Sequence, residues 1–205
     1  MVFAASQDRT PKLDKAQATS EVGVSGVSIV DGVVRDEYLT DLEDVADRIE
    51  AYEKIRNCSA GAVIDNLIGL SLRRASFDVE SDDPGQEEMC DIIRRNLLTT
   101  GGMTHPWDDF VRHAAVAVLY GFSVHENVWE ERDGLLLIRK LPGRHPKTHS
   151  RWLFDETGGL AGWEQTGYRI SGEQSREETV QIPIEKLIVL TYRGEYGNPE
   201  GRGVF

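Results

Sequence analysis

The spacing of hydrophobic and polar positions changes character near the middle of the chain. Before about residue 121, apolar side chains recur every three or four positions, which is the period of an amphipathic helix. After that point, alternating or continuous apolar runs are separated by Gly and Pro turns, which is typical of strands. The pattern therefore predicts an α+β fold in which N-terminal helices are followed by an antiparallel sheet.

Amphipathic helices are predicted along the first part of the chain. Thr40 followed by Glu43 has the spacing of a capping box, so a first helix is predicted to begin there and to carry an apolar stripe over Leu42–Tyr52. Residues 57–59 either separate this helix from the next one or bend a single long helix. Gly121 is predicted to end the last helix, because glycine adopts left-handed dihedrals readily. The other helices are predicted at Ala60–Leu72, Glu87–Leu98 and Pro106–Tyr120.

Strands joined by short turns are predicted in the second part. The Asp133-Gly134 dipeptide between two apolar runs predicts a tight hairpin. An earlier half-buried strand is predicted at Ala75–Glu80, where apolar and polar residues alternate. The later strands are predicted at Phe122–Glu131, Leu135–Leu141, Arg151–Phe154, Gly162–Ile170 and Leu187–Tyr192.

The chain is predicted to consist of an arm and one domain. Residues 1–39 are rich in Ser, Thr, Asp and Gly and lack a helical period, so they are predicted to form a flexible N-terminal arm. Residues 40–205 contain the periodic segments and are predicted to form a single α+β domain.

Charge and composition narrow the possible functions. The 205 residues include 23 basic and 35 acidic side chains, which gives a formal net charge of −12. A protein that grips the phosphate backbone needs the opposite sign, so tight, sequence-reading DNA binding is not expected. An acidic surface past which DNA slides without sticking is compatible with this charge. Cys58 and Cys90 lack metal-ligand spacing and are predicted to be buried free thiols, and no apolar run is long enough for a membrane helix.

Candidate catalytic residues lie near the start of the last predicted helix. His105 with Asp108 or Asp109 has the residue types of a base and a carboxylate, as a small hydrolase would need. Acidic residues are also favoured in a first helical turn by the helix dipole, and capping is the preferred interpretation. No catalytic residue is therefore assigned.

A short basic segment is the best candidate for contact with phosphate or with an acidic partner. It contains Arg144, His145, Lys147 and Arg151. His145 and His149 have a spacing of four, but no His-Glu-x-x-His helix contains them. No metal or cofactor site is predicted.

Several short segments, in their order along the chain, resemble a known family. Each segment alone is weakly specific, but the order in which the segments occur is much more specific. In that order they resemble the N-terminal or wing portion of the portal (head-tail connector) proteins of Mu-like tailed bacteriophages. The resemblance extends over roughly Tyr38 to Phe205. The segments are Leu119–Glu130, Lys140–His145, Arg151–Asp155, Ile182–Val189 and Gly197–Gly203.

The resemblance implies a structural function and not an enzyme. It implies a virion protein, made in the bacterial host cytoplasm, that forms a closed ring of about twelve subunits at one capsid vertex. Genomic double-stranded DNA would be packaged and ejected through the ring, which would also join head to tail. The implied partners are the major capsid protein, terminase and head-completion or adaptor proteins. The stem, clip and tunnel-loop portion of such portals would follow Phe205, so none of its residues is expected here.

Two alternatives remain open at this level. One is the small hydrolase that would use His105 with Asp108 or Asp109. The other is an interaction module that has the same wing fold but does not form a ring.

Overall fold

A computed structural model describes residues 23, 25–37, 39–171 and 174–205, and it confirms the α+β fold. Most of the predicted arm, including residues 1–22, lies outside the described residues. The α-helices are α1 (Val45–Arg56), α2 (Ser59–Arg73), α3 (Glu87–Leu98), α4 (Trp107–Ala114) and α5 (Val116–Tyr120). The strands are β1 (Ile29–Val30), β2 (Val33–Val34), β3 (Phe122–Glu126), β4 (Val128–Arg132), β5 (Leu135–Lys140), β6 (Gly143–Arg144), β7 (His149–Phe154), β8 (Leu160–Ser171), β9 (Gln174–Pro183) and β10 (Leu187–Thr191).

The first α-helix begins later than the capping-box pattern predicts. Thr40–Leu42 forms a short 3-10 turn, and the N-cap of α1 is Asp44. The Asp44 carboxylate accepts hydrogen bonds from the backbone N–H groups of Ala46 at 2.8 Å and Asp47 at 3.4 Å. The predicted start at Thr40 was therefore wrong, because the side chain of Asp44 satisfies the free N–H groups of the first turn.

Residues 57–59 separate α1 from α2 and do not bend one long helix. Cys58 has extended backbone dihedrals, and its Sγ accepts from the N–H of Gly61 at 3.4 Å as the N-cap of α2. A Cβ on Gly61 would lie 2.0 Å from the carbonyl oxygen of Ile55, so the two helices meet where only glycine fits. Cys90 is buried as predicted, but Cys58 is exposed because it caps a helix at the surface.

The last predicted helix is divided, and Gly121 ends it as predicted. α4 and α5 are separated at Ala115. Gly121 has φ +93°, and its N–H donates to the carbonyl oxygen of Ala117 at 2.8 Å. This left-handed residue turns the chain directly from α5 into β3.

The predicted strand at Ala75–Glu80 is not formed. The segment has no regular secondary structure, and it has no strand partner within the described part of the chain. Arg94 on α3 holds it instead, through Nη2 to the carbonyl oxygen of Val79 at 2.6 Å and Nε to Asp78 at 2.6 Å. Alternation predicted a half-buried surface, but no neighbouring strand supplies the backbone partners that would make it a sheet.

The strands form several small antiparallel sheets where the pattern predicted one. Their orders are β1-β2, β10-β3-β6, β4-β5 and β7-β8-β9. The predicted strand Phe122–Glu131 is divided at Asn127, whose N–H donates to the carbonyl oxygen of Lys186 at 2.7 Å. β9 was not predicted, because its residues are mostly polar. The turn at Asp133 and Gly134 has φ values of 55° and 77°, as a tight hairpin requires.

Two hydrophobic clusters form the core. The larger lies where β3 and β10 pack against β2 and the β7-β8-β9 sheet, and the smaller joins α1 to α5. The larger cluster contains Val34, Phe122, Val124, Trp152, Trp163, Ile182 and Leu187. The smaller contains Val45, Ile49, Tyr52, Leu119 and Tyr120.

Candidate functional site

The glycine-rich loop after β10 returns to the junction between α5 and β3. Its end is held by backbone bonds from Arg202 N–H to the carbonyl oxygen of Tyr192 at 2.8 Å and from Val204 N–H to that of Val118 at 3.0 Å. A Cβ on Gly121 would lie 2.3 Å from the carbonyl oxygen of Glu200, and one on Gly203 would lie 2.1 Å from that of Leu119. The loop and the junction therefore approach so closely that both need glycine.

Glu200 of this loop is the centre of a buried polar cluster. It is only 3% exposed and forms an ion pair with Arg48 of α1, which is also buried. Its Oε1 accepts from Trp152 Nε1 at 3.2 Å, and its N–H donates to Asn198 Oδ1 at 2.8 Å. One carboxylate thus connects α1, β7 and the loop, and a buried charge is tolerated only when it is paired in this way.

His149 completes this cluster, which we call the Glu200 cluster. Its Nδ1 accepts from Trp163 Nε1 at 2.6 Å, and its Nε2 lies 3.6 Å from Glu200 Oε1. Burial alone would raise the pKa of Glu200, but His149 and Arg48 outweigh it and hold that pKa below its usual range. The sequence interpretation missed this cluster, because Arg48 and Glu200 are 152 positions apart. The only local signal was a single carboxylate within the Gly197–Gly203 loop.

The predicted basic segment is divided between two places. His145 Nε2 and Lys147 Nζ lie 3.4 Å and 4.0 Å from the two carboxylate oxygens of Glu53 on α1. Arg144 precedes them and forms an ion pair with Glu126. All three therefore face carboxylates of this chain.

Arg151 belongs to a different surface. Its guanidinium lies 3.1 Å from Asp31 in the β1–β2 turn and 3.0 Å from Glu164 on β8. Among the described residues it shares no ion-pair partner with Arg144, His145 or Lys147.

Arg144 and His145 also line a cavity between the helices and the sheet. The cavity has a volume of about 480 Å³ and lies between α2, the α4–α5 pair and β3. Four arginines line it, and Asp65 is its one lining carboxylate among the described residues. Asp65 accepts from Arg56 Nε at 2.6 Å. The arginines are Arg56, Arg73, Arg112 and Arg144.

His125 on β3 is buried beside this cavity. It is fully shielded from solvent, its ring packs against Phe110 at 4.8 Å, and a hydrogen bond of 2.7 Å joins Nε2 to Ser123 Oγ. Burial lowers the pKa of His125 to about 4, so the ring is neutral at ordinary pH. The neutral ring fills the core as a packing residue.

The hydrolase alternative has no supporting geometry. Asp108 accepts from Arg73 at 2.9 Å and 2.6 Å, and Asp109 accepts from Arg112 at 3.0 Å. Within the part of the chain that the structure describes, no hydrogen bond joins His105 to either carboxylate. Both aspartates also lie in the first turn of α4, where the helix dipole favours them.

Two features are absent from the described ranges, a cluster of metal ligands and a helix that could span a membrane. No group of three or more His, Cys, Asp or Glu side chains is arranged there to hold a metal ion. None of the helices described combines the length and apolar character needed to cross a bilayer.

Comparison with known proteins identifies the family. The family model described as the portal protein of Mu bacteriophage matches residues 49–205, which include α2 to β10 and the loop that carries Glu200. No curated protein matches the chain at a significant level. The match confirms the resemblance given by the ordered segments. The chain therefore belongs to the Mu-type portal protein family, whose members are structural proteins of bacteriophages.

Proposed function

We propose that the chain is the wing-type part of a portal subunit, and that about twelve copies close into a ring at one capsid vertex. The observation that carries this proposal is the family match over residues 49–205. In this proposal the ring is the passage for packaging and ejecting genomic double-stranded DNA, and it joins head to tail. Its partners are the major capsid protein, terminase and head-completion or adaptor proteins, and it is made in the host cytoplasm before it enters the virion.

The charge of the chain supports a passage that does not grip DNA. Each copy of this chain has a formal net charge of −12, and a ring repeats this charge around its axis. Salt at physiological strength screens charges over about 8 Å, so only near surfaces repel the phosphates. DNA that slides through such a ring is held by neither sequence-specific nor strong non-specific contacts.

The domain division is part of the proposal. Residues 40–205 form the wing-type domain, and residues 1–39 form an arm that leads to it. The β1–β2 hairpin at the end of this arm packs on the domain, since Gly32 accepts from Trp152 N–H at 2.9 Å. The arm thus enters the domain along β7.

The basic group Arg144, His145 and Lys147 is proposed as a contact for phosphate or for an acidic segment of a partner. Arg151 has the same charge but is proposed as a separate contact, since its partners are Asp31 and Glu164. Arg144→Ala with Lys147→Ala should weaken capture of a partner or of DNA at low salt, while Arg169→Ala on β8 serves as an exposed basic control. This assignment is contradicted if the unmodified protein, the Arg144→Ala with Lys147→Ala variant and the Arg169→Ala control all bind equally well.

The ring is tested on the complete product of the phage gene that encodes this chain. Mass photometry and negative-stain microscopy should show closed rings and no large population of monomers. A monomer at micromolar concentration, with no rings in phage particles, would overturn the portal function and favour the interaction module.

A further inference from the structure

Helix α2 presents large apolar side chains to solvent. Leu67 is 62% exposed, and Val63, Ile64 and Leu70 are exposed as well. Successive residues of an α-helix turn by about 100°, so these four side chains form one continuous stripe. Exposed contiguous apolar surface of this kind marks an interaction site.

The opposite face of α2 carries the small residues. Gly61 is its one buried residue, and Gly69 lines the cavity between α2 and the α4–α5 pair. Ile68 is the one large side chain of α2 that packs against the α1–α5 cluster. A helix of a monomeric domain turns its large apolar residues inward, so α2 has the reverse arrangement.

The β4–β5 hairpin has a second exposed apolar face. Trp129 pairs with Ile138 and Glu131 with Leu136, and residues that oppose each other across an antiparallel pair share a face. Leu136 is 68% exposed and Trp129 is also exposed. This face, which we call the hairpin face, therefore consists of Trp129, Leu136 and Ile138 with Glu131 beside them.

The two faces have complementary charges. Arg74 follows Leu70 by four positions and so lies at the end of the α2 stripe. Arg74 and Glu131 are both exposed, and neither forms an ion pair with any residue in the described ranges. A cation thus flanks one apolar face and an anion the other.

We propose that the α2 stripe of one subunit docks on the hairpin face of the next copy in the ring. A closed ring needs two different faces on each subunit, since its contacts are heterologous, and these two faces meet that requirement. Leu67 packs against Trp129 and Leu136 of the neighbouring copy, and Arg74 pairs with its Glu131. This inference rests on the proposed ring and adds the surfaces that close it.

Cysteine cross-linking of the complete gene product tests the contact. The parent protein carries Cys58→Ser, which removes the exposed thiol and leaves a side chain suited to a helix N-cap. In that parent, Leu67→Cys with Leu136→Cys should give a ladder of covalent oligomers under oxidation or with a short bismaleimide. Leu67→Cys with Tyr168→Cys is the matched control, since Tyr168 is exposed on β8 and should give no ladder.

The possible outcomes separate this contact from the ring itself. Rings without a ladder would overturn the contact and leave the portal function intact. A covalent dimer from Leu67→Cys alone would show that two α2 helices meet about a two-fold axis, which also overturns it. A parent protein that forms no rings would overturn both proposals.

A charge exchange provides a second, independent measurement. Arg74→Glu and Glu131→Arg should each convert rings to monomers, because each places like charges at the contact. The double variant should recover rings by restoring an opposite pair. If both single variants form rings as the parent does, the two faces do not meet.

Discussion

At the scale of single residues, the Glu200 carboxylate holds three parts of the domain together. It is buried with Arg48 and receives the indole N–H of Trp152. The buried pair contributes little net stability by itself, since desolvation opposes its attraction. Removing one partner leaves the other charged and buried, and this is the costly event.

Glu200→Gln is expected to lower the free energy of unfolding by about 3–5 kcal/mol, because Arg48 then stays buried without a counter-charge. Chemical denaturation followed by circular dichroism measures this change in the free energy of unfolding. The control is Glu178→Gln, which breaks the exposed pair with Arg169 and should change stability by less than about 0.5 kcal/mol. Equal effects of the two variants would contradict a special role for Glu200.

His125 predicts how stability changes with pH. Its pKa in the folded chain is about 4, below the ordinary 6.5, because burial penalises the charged ring. The unfolded chain therefore binds the proton first, so the stability due to a neutral His125 is complete above pH 6.5 and is lost as pH falls toward 4. The loss over this window amounts to about 3 kcal/mol.

His125→Phe should remove this part of the acid sensitivity while keeping a ring against Phe110. Denaturation at several pH values between 4 and 7 measures it. Phe110→Leu is the control, because it removes the ring contact and keeps the titrating group, so it should lower stability and retain the pH slope. If the free energy of unfolding of His125→Phe depends on pH as steeply as that of the parent, His125 is not the source of this acid sensitivity.

At the scale of elements, one glycine connects the helical part to the sheets. Gly121 is left-handed and ends α5, and the loop around Glu200 lies directly against it. The left-handed turn needs a residue that adopts a positive φ, and the close contact needs a residue without a Cβ. Gly134 in the β4–β5 turn is left-handed too, but a Cβ there would meet open space.

Gly121→Ala is therefore expected to destabilise the chain by at least about 3 kcal/mol, since it adds a clash to left-handed strain. Gly134→Ala carries the strain alone and should cost about 1 kcal/mol. Thermal and denaturant unfolding of the two variants separate the two costs. Similar losses of stability in the two variants would show that the loop carrying Glu200 leaves room for a Cβ at Gly121.

At the scale of the whole molecule, the β1–β2 hairpin belongs to the main core. Val34 is buried with Trp152 and Phe122, which lie far along the chain. A segment that enters the core in this way should unfold together with the domain.

Val34→Ala should lower the free energy of unfolding by about 2 kcal/mol, because it leaves a cavity in the core. Val30→Ala in the same hairpin should change it by less than about 0.5 kcal/mol. Val34 is 2% exposed and Val30 is 54% exposed, so the pair separates burial from hairpin propensity. Retained stability in Val34→Ala would place the hairpin outside the cooperative unit.

Local signals were sufficient for part of this molecule. The bounds of α3, the end of α5 at Gly121 and the Asp133-Gly134 turn depend on neighbours a few positions away, so they could be read directly. The order of short segments was sufficient for the family. The function as a phage portal protein followed from that order and not from any site chemistry.

Tertiary structure decided the features that depend on distant partners. Ala75–Glu80 alternates like a strand but has no strand beside it among the described residues, while the polar β9 forms a strand because β8 lies alongside. The Arg48–Glu200 pair joins positions that no local pattern relates. Backbone pairing and the burial of charge both need a partner that the fold brings close. A local sequence pattern does not identify a partner that lies far along the chain.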